Sequence, residues 1–200
     1  MNYQQAREFV DSFSRSGKAV TDLSRAAALM KAVGDPQDAL RFIHIAGTNG
    51  KGSTAEYLTN ILRAAGYHTG TLTSPYIRHY RDRIRLNGAD IPKEDFTRIC
   101  TDVAAKIGEL PCSQFEITMA IAMCYFREKQ ADVVVLETGI GGLLDSTNII
   151  APPLASIVTS VSMDHMQVLG ATLAEIAAQK AGILKTGSRA VLMPHRSTLL

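Results

Sequence analysis

Apolar positions along the chain switch repeatedly between helical and strand spacing. Near the N-terminus Tyr3, Ala6, Phe9, Val10 and Phe13 recur at helical intervals. Leu23, Ala26, Ala27, Met30 and Val33 do so again, before Gly34 and Pro36 supply a stop. Phe42, Ile43 and Ile45 form a short apolar run of strand length that enters a glycine-rich turn and then a helix ending at Gly66. Thr69 to Thr73 reads as a second strand closing on Ser74 and Pro75. Arg83 to Leu86 alternates charged and apolar residues before Asn87-Gly88, a hairpin signal that predicts a small β excursion. Phe96, Ile99, Cys100, Val103 and Ile107 mark an amphipathic helix, and Phe115 to Phe126, apolar almost all round, predicts a buried one. Asp132 to Glu137 and Ala155 to Ser160 have the continuous apolar pattern of buried parallel strands. Thr172 to Gly182 is helical, Arg189 to Met193 is a fifth strand, and the last residues, PHRSTLL, carry no domain-ending signal. This order predicts an α/β fold, a doubly wound, mainly parallel sheet with flanking helices.

Composition narrows the class. With 46% hydrophobic and 20% charged residues among 200 and a formal net charge of +2, the chain suits a globular domain and has no basic field for nucleic acid. Cys100, Cys112 and Cys124 cannot all pair and show no metal-binding spacing, which points to a reducing compartment. Cys100 and Cys124 fall in apolar stripes and read as core. The N-terminal residues lack a signal-peptide core, and no apolar run approaches the roughly 18 residues of a membrane span. A cytoplasmic location is expected.

The chemistry collects around IHIAGTNGKGST. Gly47, Gly50 and Gly52 let a backbone approach a ligand closely, Lys51 adds a positive charge, and the following helix aims free N–H groups at the loop. A phosphate-binding loop of Gly47, Thr48, Asn49, Gly50, Lys51, Gly52 and Ser53 is expected, although Gly52 between Lys51 and Ser53 departs from the common GK[ST] ending. The alternative is a tight turn in which Ser53 and Glu56 form a capping box. Ligands in such sheets sit beyond the carboxyl ends of the strands, which places Ser74, Glu137, Asp164 and His165 on one rim with Lys51. Carboxylate, hydroxyl and phosphate oxygens suit magnesium, for which His165 could equally stand behind the ligands. Lys180 falls on the apolar face of its helix, where burial would lower its pKa, but a C-terminal lysine complementing the helix dipole is also open. Thr172 with Glu175 and Ser113 with Glu116 read as capping pairs, and Asp145 and Asn148 as loop-forming side chains.

Three segments, IHIAGTNGKGST, VLETGIGGLLDSTNII and TSVSMDHMQVLGATLAEIAAQKAGI, together resemble the folylpolyglutamate synthase/dihydrofolate synthase family of the Mur ligase superfamily, over about Asp22 to Lys185. GKGS is the form found in the folate ligases, whereas muramyl ligases usually have GK followed by two threonines. The resemblance implies an ATP-dependent ligase that adds L-glutamate to tetrahydrofolate, and to dihydropteroate in bifunctional members, through an acyl phosphate. It assigns Gly47 to Ser53 to the ATP phosphates. It makes Lys51, Glu137, His165 and Lys180 catalytic, and gives Ser74, Glu137, His165 and a carbamylated Lys180 to two Mg2+ ions. Ser113, Phe115 and Asp145 would line the substrate pocket, and Ser74 through Arg83 would be the mobile folate loop. Members run to about twice this length, so the chain is expected to be an incomplete N-terminal ATP-binding domain without its C-terminal domain, and a monomer when full length. A nucleotide-binding module without ligase activity, or a cell-wall ligase of the Mur type, are the alternatives.

Overall fold

A computed structural model describes residues 1–13 and 21–194; the predicted chain end, from His195, lies outside them. In chain order the helices are α1 (Tyr3–Ser12), α2 (Ser24–Ala32), α3 (Lys51–Ala64), α4 (Lys93–Ile107), α5 (Gln114–Glu128), the short α6 (Met166–Leu169) and α7 (Leu173–Ala181). The strands are β1 (Phe42–Ala46), β2 (Thr69–Leu72), β3 (Ile84–Leu86), β4 (Ala89–Asp90), β5 (Val133–Glu137), β6 (Ala155–Val158) and β7 (Arg189–Leu192). They form one seven-stranded sheet in the order β4-β3-β2-β5-β1-β6-β7. Five strands are parallel, and β3 and β4 pair antiparallel at one edge. The excursion is the expected hairpin, turning at Asn87 (φ 50) and Gly88 (φ 78).

Helices cover both faces. Phe42, Leu72, Val134 and Leu136 point into a core built with α1, α2, α4 and α5. Ile45 and Val135, one residue out of phase with those, pack with Ile157 against Ala55, Leu58 and Leu62 of α3. α5 is buried along most of its length, as its sequence predicts, and Phe96 and Phe126 are among the largest fully buried side chains. Each such side chain contributes roughly 1.5–3 kcal/mol by leaving water. Gly70 on β2 makes room for one of them, since a Cβ there would stand 2.9 Å from the Phe126 ring.

Local chemistry sets the helix starts. Asn2 with Gln5, Ser113 with Glu116 and Thr172 with Glu175 form reciprocal capping boxes. α3 begins differently: its N-cap is Gly50 in a left-handed conformation (φ 85). Ser53 therefore lies inside the first turn, and Glu56 reaches Asn60 and Arg85 instead, so the capping box considered for that pair does not form. A one-turn 3-10 helix at Tyr80–Arg83 and the short α6 were not legible from spacing.

The chain leaving β1 crosses to β2 on one side, whereas β5 and β6 flank β1. A crevice therefore opens at the carboxyl end of β1, where the Gly47–Gly50 loop emerges.

Candidate active site

The loop after β1 is braced from β6. Thr48 N–H donates to Ser160 O at 2.7 Å and Asn49 N–H to Ser160 Oγ at 3.0 Å, while Thr159 Oγ1 donates to Asn49 O at 2.8 Å. Gly47 (φ 150) is required by this contact, because a Cβ there would fall 1.8 Å from Thr159 Oγ1. The first helical hydrogen bond runs from Thr54 N–H to Gly50 O, which leaves the N–H groups of Lys51, Gly52 and Ser53 ahead of the helical ladder. Lys51 Nζ folds back over the loop to donate to Gly47 O at 3.0 Å. A rigid loop, free amides at a 14-residue helix's N-terminus and one ammonium make an anion cradle.

Glu137 closes β5 beside this cradle. It is only 3% exposed, and its Oε2 would lie 3.8 Å from a Cβ on Gly52. Its carboxylate accepts from Ser74 N–H at 3.2 Å, which brings the end of β2 to the same point. Burial pushes the Glu137 carboxyl up to about 7, against the opposing pull of that hydrogen bond and of Lys51. Lys180, 1% exposed, lies in the last turn of α7, and burial lowers its pKa, with the charge of Lys51 adding to the effect and Asp164 opposing it. Those two influences place Lys180 within electrostatic reach of both the loop and the rim after β6. His165, the left-handed residue that starts α6 (φ 44), stands 3.5 Å from Asp164 and is exposed toward the crevice.

Among the described residues no cluster of three or more His, Cys, Asp or Glu side chains forms a metal cage. The donors present nevertheless fit magnesium, which binds through one or two carboxylates plus water and phosphate oxygen. Glu137 is a buried carboxylate that accepts one N–H donor, from Ser74, a hydroxyl-bearing residue that lies beside it.

The 139–148 segment ties β5 to α7. Leu143 N–H donates to Gln179 O at 2.6 Å, and Asn148 Nδ2 donates to both Leu143 O and Gly182 O at 3.1 Å. Asp145, buried, accepts four hydrogen bonds: from Gly139 N and Ile140 N at 2.8 Å, from Thr147 N at 3.0 Å and from Thr147 Oγ1 at 2.5 Å. Burial raises its pKa while those bonds oppose the rise. The loop-forming reading of Asp145 and Asn148 thus describes their bonding.

A cavity of about 720 Å³ joins these parts. Its lining includes Thr48, Asn49 and Lys51 of the loop, Ser74, Asp164 and His165 from the rim, Ser113, Phe115, Asp145 and Ser146, and Tyr76 and Arg83. Glu137 and Lys180 lie behind its surface rather than on it. Ser113 serves two purposes, capping α5 and lining the cavity. Arg25, Arg83 and Gln179 also line it, and spacing alone singled out none of them as cavity residues. Arg83 is buried, with its guanidinium 4.9 Å from the Tyr80 ring and 5.3 Å from that of Tyr76. His44, fully buried in β1, was also missed; a lone polar residue inside FIHIA was the available signal.

A mainly parallel sheet whose first strand feeds a glycine loop and helix, with a buried carboxylate and a large cavity on the same rim, defines a doubly wound α/β domain with an anion-binding loop at its crevice. The chain belongs to the Mur ligase middle domain family, whose model matches residues 45–195. It is 41% identical over 192 residues to the dihydrofolate synthase/folylpolyglutamate synthase of Bacillus subtilis, covering 92% of this chain and 44% of that protein. It is also similar to a solved FPGS-AMPPCP-folate complex, at 40% identity and a TM-score of 0.91, covering 96% of this chain and 48% of the other. E. coli FolC in complex with DHPP and ADP superposes with a TM-score of 0.89 at 30% identity, covering 96% of this chain and 46% of that one. The chain thus spans about half the length of the relatives it matches. No helix among the described residues is long and apolar enough to cross a membrane.

Proposed function

We propose that the chain is the phosphate- and metal-binding half of an ATP-dependent ligase that joins L-glutamate to a folate, tetrahydrofolate or dihydropteroate. The observation that carries this reading is the single rim on which the Lys51 loop, the buried Glu137 carboxylate and the cavity walled by Ser113, Phe115 and Asp145 meet. Relatives named for folate polyglutamylation, and complexes holding AMPPCP or ADP with folate or DHPP, support the same assignment.

In this reading the amides of Lys51 to Ser53 hold terminal phosphates, and Lys51 exchanges its contact with Gly47 O for a phosphate oxygen. Ser74, Glu137 and His165 would hold magnesium, which when bound neutralises phosphate charge and orients the transferred group. Lys180, a buried amine of lowered pKa, is suited to attack carbon dioxide: its nitrogen bonds to the carbon and releases a proton, leaving a carbamate as an anionic ligand. The cavity would hold the pterin-bearing acid with its carboxylate toward the loop. Phosphorylation of that carboxylate by ATP, attack by the glutamate amine and loss of phosphate complete the amide, with the protein supplying mainly position and charge.

The anion cradle taken alone also suits a second reading, a nucleotide-binding module without ligase activity. Calorimetry with ATP and magnesium on the 200-residue chain, followed by a coupled glutamate-addition assay on it and on a version extended by its downstream coding sequence, separates the two. The ligase reading expects nucleotide binding by the chain and folate-glutamate formation by the extended form. Binding with no product in either form supports the module.

A further inference from the structure

We propose that His44 and Thr147 are positioning residues for the substrate cavity, holding the Asp145 carboxylate so that it fixes the 139–140 turn against Phe115. The inference rests on the reading above that this cavity takes the pterin-bearing acid.

Three buried side chains form an unbroken line from the centre of the sheet to the cavity wall. His44 Nε2 lies 2.8 Å from Thr147 Oγ1, and Thr147 Oγ1 lies 2.5 Å from Asp145 Oδ1. A hydroxyl has one proton to donate, and an ionised carboxylate can only accept. Asp145 Oδ1 already accepts from Thr147 N–H, so the Thr147 proton goes to Asp145 and the contact with His44 must be donated by the ring. That makes His44 the neutral tautomer with its proton on Nε2. Its Nδ1 is buried without a hydrogen-bond partner, which a bare lone pair tolerates better than an N–H would. Burial, reinforced by the nearby Lys185 charge, lowers the ring pKa to about 3 and keeps it neutral.

The far end of the line touches the cavity. Asp145 Oδ2 takes both N–H groups of the turn that follows Glu137 and Thr138. At Gly139 a Cβ would lie 3.2 Å from Asp145 Oδ2 and 3.2 Å from the Phe115 ring, so carboxylate, turn and ring are stacked in contact. A carboxylate that lost its Thr147 donor would be free to rotate, and the turn would shift against Phe115. The phosphate loop, braced from Thr159 and Ser160, has no part in this line. The expected consequence is a change in affinity for the pterin-bearing substrate and none for ATP.

Two measurements test this. The first needs no substrate: long-range ¹H–¹⁵N correlation spectra of the 200-residue chain, with His44 assigned from His44→Gln, should show the Nε2–H tautomer, unprotonated from pH 5 to 8. An Nδ1–H tautomer, or a titration midpoint within that range, overturns the proposal. The second uses the extended enzyme with dihydropteroate, ATP and glutamate. Thr147→Val and His44→Leu should raise KM for dihydropteroate about tenfold, with kcat and KM for ATP within about twofold of wild type. Thr147→Ser and His44→Gln, which keep the hydroxyl and a donor near the Nε2 position, should restore it. Should His44→Leu fail to fold, His44→Gln against His44→Asn gives the same comparison, because only glutamine reaches Thr147. Unchanged KM in all variants, or an equal rise for ATP, overturns the proposal. A wild-type enzyme that does not use dihydropteroate or folate refutes the functional reading instead, while the tautomer still decides the hydrogen-bonded line.

Discussion

Replacing Glu137 by glutamine removes one buried carboxyl while keeping its size and its acceptor for Ser74 N–H. In the folded chain this carboxyl holds its proton up to about pH 7, against an ordinary value of 4.5. Between those two values the native state binds more protons than the unfolded state, so the contribution of Glu137 to stability falls as pH rises across the window. A displacement of that size corresponds to about 3 kcal/mol lost between pH 4.5 and pH 7 and above. Glu137→Gln has no such titration. Urea unfolding of both proteins at pH 5, 6, 7 and 8 should therefore show the variant gaining on the wild type by about 2.5 kcal/mol over the series, other titrating groups cancelling in the difference. Magnesium with ATP should narrow the gap at pH 8 by stabilising only the wild type, whose charged carboxylate then has a cation. Parallel pH profiles for the two proteins, without nucleotide, would show that the carboxyl is solvated or already paired and would remove the physical basis for a cation there.

The remaining predictions concern the loop, the core and the buried lysine. Lys51→Ala should lower ATP affinity by at least tenfold in calorimetry with the Tm held within a few degrees, since the Lys51 ammonium hydrogen-bonds only to carbonyls of its own loop. Gly47→Ala should abolish nucleotide binding, because its Cβ would strike Thr159 and release the brace on the loop; binding at wild-type strength would contradict that geometry. Gly70→Ala presses a methyl into the Phe126 ring and should cost about 1–3 kcal/mol in urea unfolding, with nucleotide binding unaffected. In the extended enzyme, depletion of bicarbonate should slow turnover and Lys180→Ala should abolish both the turnover and the bicarbonate response; indifference of the wild type to bicarbonate counts against a carbamate.

The central strands were legible because β5 and β1 are buried on both faces, so DVVVLE and the apolar residues of FIHIA read as strand-length apolar runs. The hairpin at Asn87-Gly88 was legible because those residues supply the positive φ angles its turn requires. Lys180 stood out by falling on an apolar face, and the structure does bury it. The start of α3 was less clear, since Ser53 and Glu56 have capping-box spacing and only the left-handed Gly50 shows where the helix begins. Part of the cavity wall was hidden for a different reason. Arg25 and Gln179 come from α2 and α7, and no local period marks side chains that converge only through the sheet order. His44 was masked by its neighbours, as one polar residue in a strand changes a hydrophobic pattern little.

The most direct test of the central claim follows oxygen through the reaction. With the extended enzyme, ATP, magnesium, glutamate and a folate bearing ¹⁸O in its terminal carboxylate, an acyl phosphate formed at this rim must leave one labelled oxygen in the inorganic phosphate when the amine displaces it. The account predicts one ¹⁸O transferred to phosphate for each glutamate added, with none in Lys51→Ala. Phosphate released without label, or released at the same rate when folate is omitted, would contradict it.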